Sequence, residues 1–124
     1  MDDLYNAGAR NFLFLTVPPI NRAPLIVAQG PDVAAQMSTD IASYNAQLMQ
    51  SVNNFQANYA NLGSVTVFDT QPIFNTLLDN WQTFGFVNVT GYCGAYANGA
   101  PSRTYQVDGC APVSSYLCVV SAFF

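Results

Sequence analysis

The hydroxyls of Ser38, Ser43, Ser51, Ser64, Ser102, Ser114 and Ser115 are the groups here that could serve as nucleophiles. A serine attacks a carbonyl only when a neighbouring base takes its proton. The sequence has no His, and its three cationic residues are Arg10, Arg22 and Arg103. With no imidazole and no lysine amine, Ser-His-Asp and Cys-His catalysis are excluded within the chain, as are the usual zinc sites. Asp32, Asp40, Asp69 and Asp79 could be imagined as a glycosidase pair. The local reading is plainer: Asp32 favours a helix N-terminus, and Asp69 ends a strand and caps the next helix. Asp108-Gly109 reads as a turn, because no series of oxygen ligands surrounds it to hold calcium. No catalytic or metal-binding residue is therefore assigned.

Composition narrows the function classes further. The 124 residues suffice for one modest core. Charged residues make up 8% of the chain, against roughly 25% in an average globular protein. A net charge of −4 with three scattered arginines leaves no basic stripe to neutralise phosphates, which argues against nucleic acid. A hydrophobic content of 51% and an aromatic content of 14% do not fit a disordered tail. No apolar run approaches the about eighteen residues of a membrane span, so no membrane partner is expected. Asn and Gln stand where Lys and Glu usually are, a surface that suits a secreted, glycosylated protein. Asn88-Val89-Thr90 is an N-glycosylation sequon beside a loop rich in Gly, Tyr and Cys, which favours its exposure. Chance occurrence in an Asn-rich chain is the alternative.

Cys93 and Cys110 flank a segment rich in Gly, Asn, Pro and Ser. A disulfide could brace it, and two buried thiols fit the spacing equally well. Cys118 lies in an apolar run and reads as a buried thiol. Met1-Asp2-Asp3-Leu4 has neither the basic start nor the apolar stretch of a signal peptide. The last residues, from Cys118 to Phe124, are apolar and uncharged. A secreted composition with ends of this kind leads to the expectation that both ends are cut from a longer protein.

The elements that would position these groups follow from periodicity. Asn11 to Val17 is a nearly continuous apolar run closed by Pro18-Pro19, and predicts a strand buried on both faces, as in a parallel sheet. Asp3 to Ala9 reads as the end of a helix stopped at Gly8. Pro18 to Pro31 is a connection with no clear period. From Pro31-Asp32 a long helix is expected, with Met37, Ile41, Tyr44, Leu48, Val52, Phe55 and Tyr59 on one face. Gln36, Asn45, Gln47, Asn54 and Asn58 then lie around the other sides, and the apolar stripe is core. Gly63 marks the exit, and Ser64 to Asp69 is a second, β-branched strand. Gln71 to Thr83 predicts a shorter helix carrying Phe74, Leu77, Leu78 and Trp81.

Strand, long helix, strand is a βαβ unit with parallel strands and a right-handed crossover. Residues 87–115 are loop-like, a length that marks a functional segment, a disulfide-braced one, or both. Tyr92, Tyr96, Asn98, Tyr105 and Gln106 would either line a sugar-binding surface or belong to a pinned, glycosylated loop. The expected fold class is α/β: a partial three-layer α/β/α sandwich with two parallel strands, a long crossover helix and a long C-terminal loop region. Residues 1–86 form the core portion, 87–117 the loop region and 118–124 an atypical tail. Two such strands do not complete a sheet, so earlier strands are expected to be missing.

In order along the chain, these segments resemble a known family. Gly8-Ala9-Arg10-Asn11-Phe12-Leu13-Phe14, Val17-Pro18-Pro19 and Arg22-Ala23-Pro24 are similar to the strand and loop after the third sequence block of SGNH/GDSL hydrolases. Asp69-Thr70-Gln71-Pro72-Ile73-Phe74, Gly85-Phe86, Asn88-Val89-Thr90 and Cys93-Gly94 continue the resemblance, which runs to about Leu117. The subgroup it points to is the fungal secreted acetylesterases of carbohydrate esterase family 16.

The resemblance implies a flavodoxin-like sandwich and an esterase that needs neither metal nor organic cofactor, so no cofactor is expected and no cofactor-binding residue is assigned. In it Ser attacks an acetyl ester, His moves the proton and Asp orients the His. The implied substrates are small acetyl esters or acetylated saccharides. The family's Gly-Asp-Ser motif is not in this sequence, and its oxyanion-hole Gly and Asn belong to blocks upstream of Met1. Ser115-Tyr116-Leu117 matches the approach to the family's Asp-x-x-His motif, but Cys118 then replaces an aromatic and that motif does not follow. Residues 118–124 are thus read as foreign to the family, and Cys93–Cys110 becomes the implied disulfide.

The chain is accordingly expected to be an inactive C-terminal fragment of a secreted ester hydrolase. The alternative is a non-catalytic module that binds carbohydrate or another protein. Half a sheet with uncovered apolar faces should aggregate, or bind a hydrophobic dye without a sharp melt.

Overall fold

Two apolar pentapeptides with β-branched and aromatic residues, separated by one long amphipathic stretch, leave the chain a single economical solution: two parallel strands joined by a helix laid across them. The computed structural model, which describes residues 1–89, 91–96 and 98–117, has this arrangement. Helix α1 (Asp2–Asn6) leads through Gly8 into strand β1 (Asn11–Leu15). A 3₁₀ turn at Ile20–Arg22 and the short helix α2 (Pro24–Val27) occupy the connection, and α3 follows (Pro31–Asn58). Strand β2 (Ser64–Phe68) and helix α4 (Gln71–Asp79) complete the regular part. The mixed α/β class read from the sequence is the class observed.

β1 and β2 are parallel, with Asn11 opposite Ser64 and Leu15 opposite Phe68. Side chains alternate across the sheet. Phe12, Phe14, Val65 and Val67 therefore share one face, and α3 covers it. Phe12 is buried and meets the ring of Phe55 edge-on at 5.0 Å. The other face carries Leu13, Leu15, Thr66 and Phe68, and no described element covers it: Leu13 is 64% exposed and Leu15 57%. This corrects the expectation of a strand buried on both faces, since the described residues supply a helical layer on one face only. The strand is also shorter than the apolar run, ending at Leu15 rather than Val17. Beyond it Pro18 and Pro19 have no N–H to extend a ladder.

Helix α3 begins with Pro31 at its first position and Asp32 in its first turn, where a carboxylate meets the positive helix end. Ile41, Val52 and Phe55 are its buried residues. Its inward stripe differs from the sequence reading at one point. Tyr44 is exposed, and the adjacent Asn45 is the partly buried residue of that turn. At the C-terminal end of α3, Tyr59 stacks on Tyr5 of α1 at 4.1 Å, and the Arg10 guanidinium lies 4.0 Å over the Tyr5 ring. Gly63 sits where a β-carbon would lie 2.6 Å from Asn11 Oδ1, so its lack of a side chain permits the close entry into β2.

α4 ends at Asp79, not at Thr83. Asn80 closes it, its backbone N–H and side-chain Nδ2 both donating to the Thr76 carbonyl, at 3.1 and 3.0 Å. Trp81 to Gly85 then form a turn, with Gly85 at φ 79°. After residue 86 the described regular structure consists of two 3₁₀ turns, Gly94–Tyr96 and Val113–Ser115, and one parallel bridge between Asn88 and Tyr116. No described helix is long and apolar enough to cross a membrane.

Candidate functional site

The register that sets Leu15 beside Phe68 brings the next residues of both strands together at the carboxyl end of the sheet. Open parallel sheets place their ligands at this end. The Thr16 N–H donates to the Phe68 carbonyl at 3.1 Å. The Thr16 hydroxyl donates to Asp69 Oδ1 at 2.9 Å and accepts the Thr70 N–H at 2.8 Å. The Thr70 hydroxyl donates to the Thr16 carbonyl at 2.8 Å. Each hydroxyl carries one proton, so these bonds use both, and the 3.1 Å approach of the two oxygens is a packing contact. Both threonines are buried with their polar atoms satisfied.

Asp69 Oδ1 also accepts the Gln71 N–H at 3.1 Å, so the carboxylate anticipated as a cap does bond the first turn of α4. One residue beyond Thr16, three bonds converge on Val17. Its N–H donates to Asn45 Oδ1 at 2.8 Å. Its carbonyl accepts Asn45 Nδ2 at 3.0 Å and Gln71 Nε2 at 2.7 Å. Further along the same segment, Arg22 reaches α4, donating to Asn75 Oδ1 at 2.9 Å and pairing with Asp79 at 2.7 Å.

A cleft of about 270 Å³ opens between these segments and α3. Ile41, Ala42 and Met49 give it an apolar side, and Thr16, Asn21, Ser38, Asn45, Asp69 and Gln71 a polar one. Chemically this is a binding wall with neutral donors and acceptors and one carboxylate. It has hydroxyls and no base suited to activate them.

The structure does not gather the other sequence candidates. Ser38 alone of the serines lines this cleft. Ser43 accepts from Gln47, Ser64 donates to Asn11, and Ser102 contacts Thr104. Asp32 and Asp40 lie along α3, where Asp40 accepts from Gln36. Asp79 is the partner of Arg22. Asp108-Gly109 is a turn, with Gly109 at φ 81° and the Cys110 N–H bonded to the Val107 carbonyl. Among the described residues no group of three His, Cys or acidic side chains could hold a metal ion. Asn45, Thr16 and Gln71 were missed as site residues. The available signal was Asn45 itself, an amide four residues after Ile41 and three before Leu48.

The loop region is organised separately. Cys93 and Cys110 are joined by a disulfide with Cα atoms 6.0 Å apart. Within it Tyr96, read as lining a sugar-binding surface or as part of a pinned surface loop, is 0% exposed. Its hydroxyl donates to the Ala111 carbonyl at 2.8 Å, and its ring meets Tyr105 and Tyr116 edge-on. In a segment short of apolar residues, a large ring contributes more as the core than on the surface. Tyr92 and Tyr105 remain exposed, at 46% and 37%, as do Asn98 and Gln106. Asn88 is half-buried, its Oδ1 accepting the Gly91 N–H at 2.8 Å. Thr90 of the sequon, Cys118 and the tail to Phe124 lie outside the described residues.

Comparison with known proteins gives two relatives. Over 90 residues, 72% of this chain, it is 34% identical to an acetylesterase from Thermothelomyces thermophilus, and the match covers 30% of that protein. Over 90 residues, 73% of this chain, it is 28% identical to a thermolabile hemolysin from Vibrio parahaemolyticus serotype O3:K6 (strain RIMD 2210633), covering 21% of it. The chain thus spans less than a third of the length of either relative. No family model matches it.

Proposed function

We propose that this chain is the C-terminal portion of a secreted ester hydrolase of the SGNH type, similar to the acetylesterases of carbohydrate esterase family 16. The parent removes acetyl groups from saccharides or small esters by Ser-His-Asp acyl transfer, with the nucleophile, oxyanion donors and base on segments outside this chain. The carrying observation is the 34% identity to an acetylesterase across 72% of the chain. Two features support it. The cleft lies at the carboxyl end of the parallel strands, and one sheet face stands uncovered, as a portion of a larger sandwich would leave it. By itself the chain is inactive, because it has no His to act as base.

Secretion is supported by the Cys93–Cys110 disulfide, which persists in oxidising compartments. Glycosylation at Asn88 belongs to the same proposal, and a mass shift on enzymatic deglycosylation of the secreted protein tests it. The test of function is hydrolysis of an acetyl ester such as 4-nitrophenyl acetate. The isolated chain should give no turnover above buffer. The same chain joined to flanking coding sequence that supplies Gly-Asp-Ser upstream and Asp-x-x-His downstream should turn over. Activity of the isolated chain, or flanking sequence that encodes neither motif, would sink the proposal. A second reading, a saccharide-binding module, is favoured by the exposure of Tyr92 and Tyr105. Saccharide binding by the isolated chain that Tyr92→Ala abolishes would select it.

A further inference from the structure

We propose that Asn45 is the positioning residue of the cleft. Its carboxamide takes the place of a paired strand at Val17, on the edge of β1 that faces away from β2, and holds the segment that follows Thr16 of the cleft wall. The inference rests on geometry and not on the ester-hydrolase reading. It begins with the direction of the main-chain groups. The Gly63 N–H donates to the Arg10 carbonyl at 2.8 Å, and the Thr16 N–H to the Phe68 carbonyl at 3.1 Å. In a strand the N–H and C=O of one residue point to the same side, and the side alternates along the chain. Arg10 and Thr16 therefore mark the residues that face β2, and the backbone of Val17 faces the opposite edge of β1.

At Val17 that edge is filled by a side chain. One carboxamide carries a donor and an acceptor, the pair that a neighbouring strand would present. Asn45 uses both, on the N–H at 2.8 Å and the carbonyl at 3.0 Å. Gln71 adds a second donor to the carbonyl from α4, so Val17 ties β1 to both helices that border the cleft. The position is otherwise hard to explain. A partly buried amide on the inward stripe of α3 is costly unless bonded, and an apolar residue would pack there at no such cost. Asn45 itself lines the cleft, so the lock and the wall are one structure.

The test is residue-resolved amide hydrogen exchange on the whole chain at micromolar concentration. Asn45→Leu puts an apolar side chain of similar size on the stripe and removes both bonds. It should speed exchange at Val17 by about tenfold, the equivalent of one lost hydrogen bond, while the amides of Val52 and Phe55 stay unchanged. Asn45→Asp keeps the acceptor and should hold Val17 within about twofold of the parent. The proposal falls if the Leu variant protects Val17 as well as Asn does. It falls equally if the Leu variant speeds Val52 and Phe55 along with Val17, or if the Asp variant exposes Val17 as fully as Leu.

Discussion

The helix and sheet of residues 11–79 and the loop region of residues 87–117 solve the same problem by different physics. In the first, a periodic apolar face does the work: Ile41, Val52 and Phe55 of α3 close over Phe12 and its neighbours. In the second there is almost no repeating structure, and three localised features hold the chain. They are one disulfide, one buried tyrosine and a set of carbonyls bonded by hydroxyls and turn amides. Apolar burial is spread over many contacts and degrades gradually, whereas a covalent tie or a single buried hydroxyl fails at one point. The two regions should therefore respond to different perturbations.

The largest effect is expected from Phe55→Ala. Removing a buried ring that touches Phe12, Tyr5 and Tyr59 should cost about 3–5 kcal/mol. The helical circular dichroism signal at 25 °C should fall accordingly, and unchanged ellipticity would show that the packing of α3 on the sheet is not what holds it. Reduction of Cys93–Cys110 comes next. Opening a loop of 17 residues should cost about 3 kcal/mol. Its effect should be confined: protease should cut between 94 and 109 while the helical signal persists. Loss of helix on reduction would abolish the distinction between the two regions.

How far the sequence discloses each region follows the same division. β1, α3 and β2 were legible because burial imposes a period, and the expected boundaries fall close to those observed. The choice between Tyr44 and Asn45 went wrong because hydropathy favoured the ring, while the peptide group of Val17 needed an amide. The end of α4 was set by Asn80, a local cap that an apolar count does not register. The bonds of Thr16 to Asp69 and Thr70 span 53 and 54 residues, and no spacing rule reaches across a crossover. In the loop region, spacing left the disulfide open and placed Tyr96 on the surface. With no period, nothing in the sequence distinguishes the one ring that becomes a core from those that stay outside.

Tyr96→Phe sharpens the comparison on a finer scale. The ring stays and its hydroxyl goes, leaving the Ala111 carbonyl without that donor. A cost of about 1–2 kcal/mol is expected, seen as faster exchange at Val107 and Cys110 with no change in α3. An equal change in both regions would mean that they are not separate in stability.

The smallest change in stability should come from the uncovered sheet face, although that substitution should be the most informative about the parent. Leu13→Gln replaces a side chain that is 64% exposed and adjoins Leu15 and Phe68 on the same open surface. Exposed positions of this kind usually shift stability by no more than about 0.5 kcal/mol. The helical signal should therefore be unchanged, whereas Phe12→Gln, one residue away and buried, should abolish it. Binding of a hydrophobic dye should drop in the Leu13 variant, because an apolar patch on a sheet face is what such dyes and aggregating neighbours recognise. In the joined protein the order reverses: there Leu13 should lie under added structure, and Leu13→Gln should cost about as much as other buried substitutions, about 2 kcal/mol or more. If Leu13→Gln is harmless in both contexts, this face of the sheet is a surface of the parent as well, and the case for a further layer on it is lost.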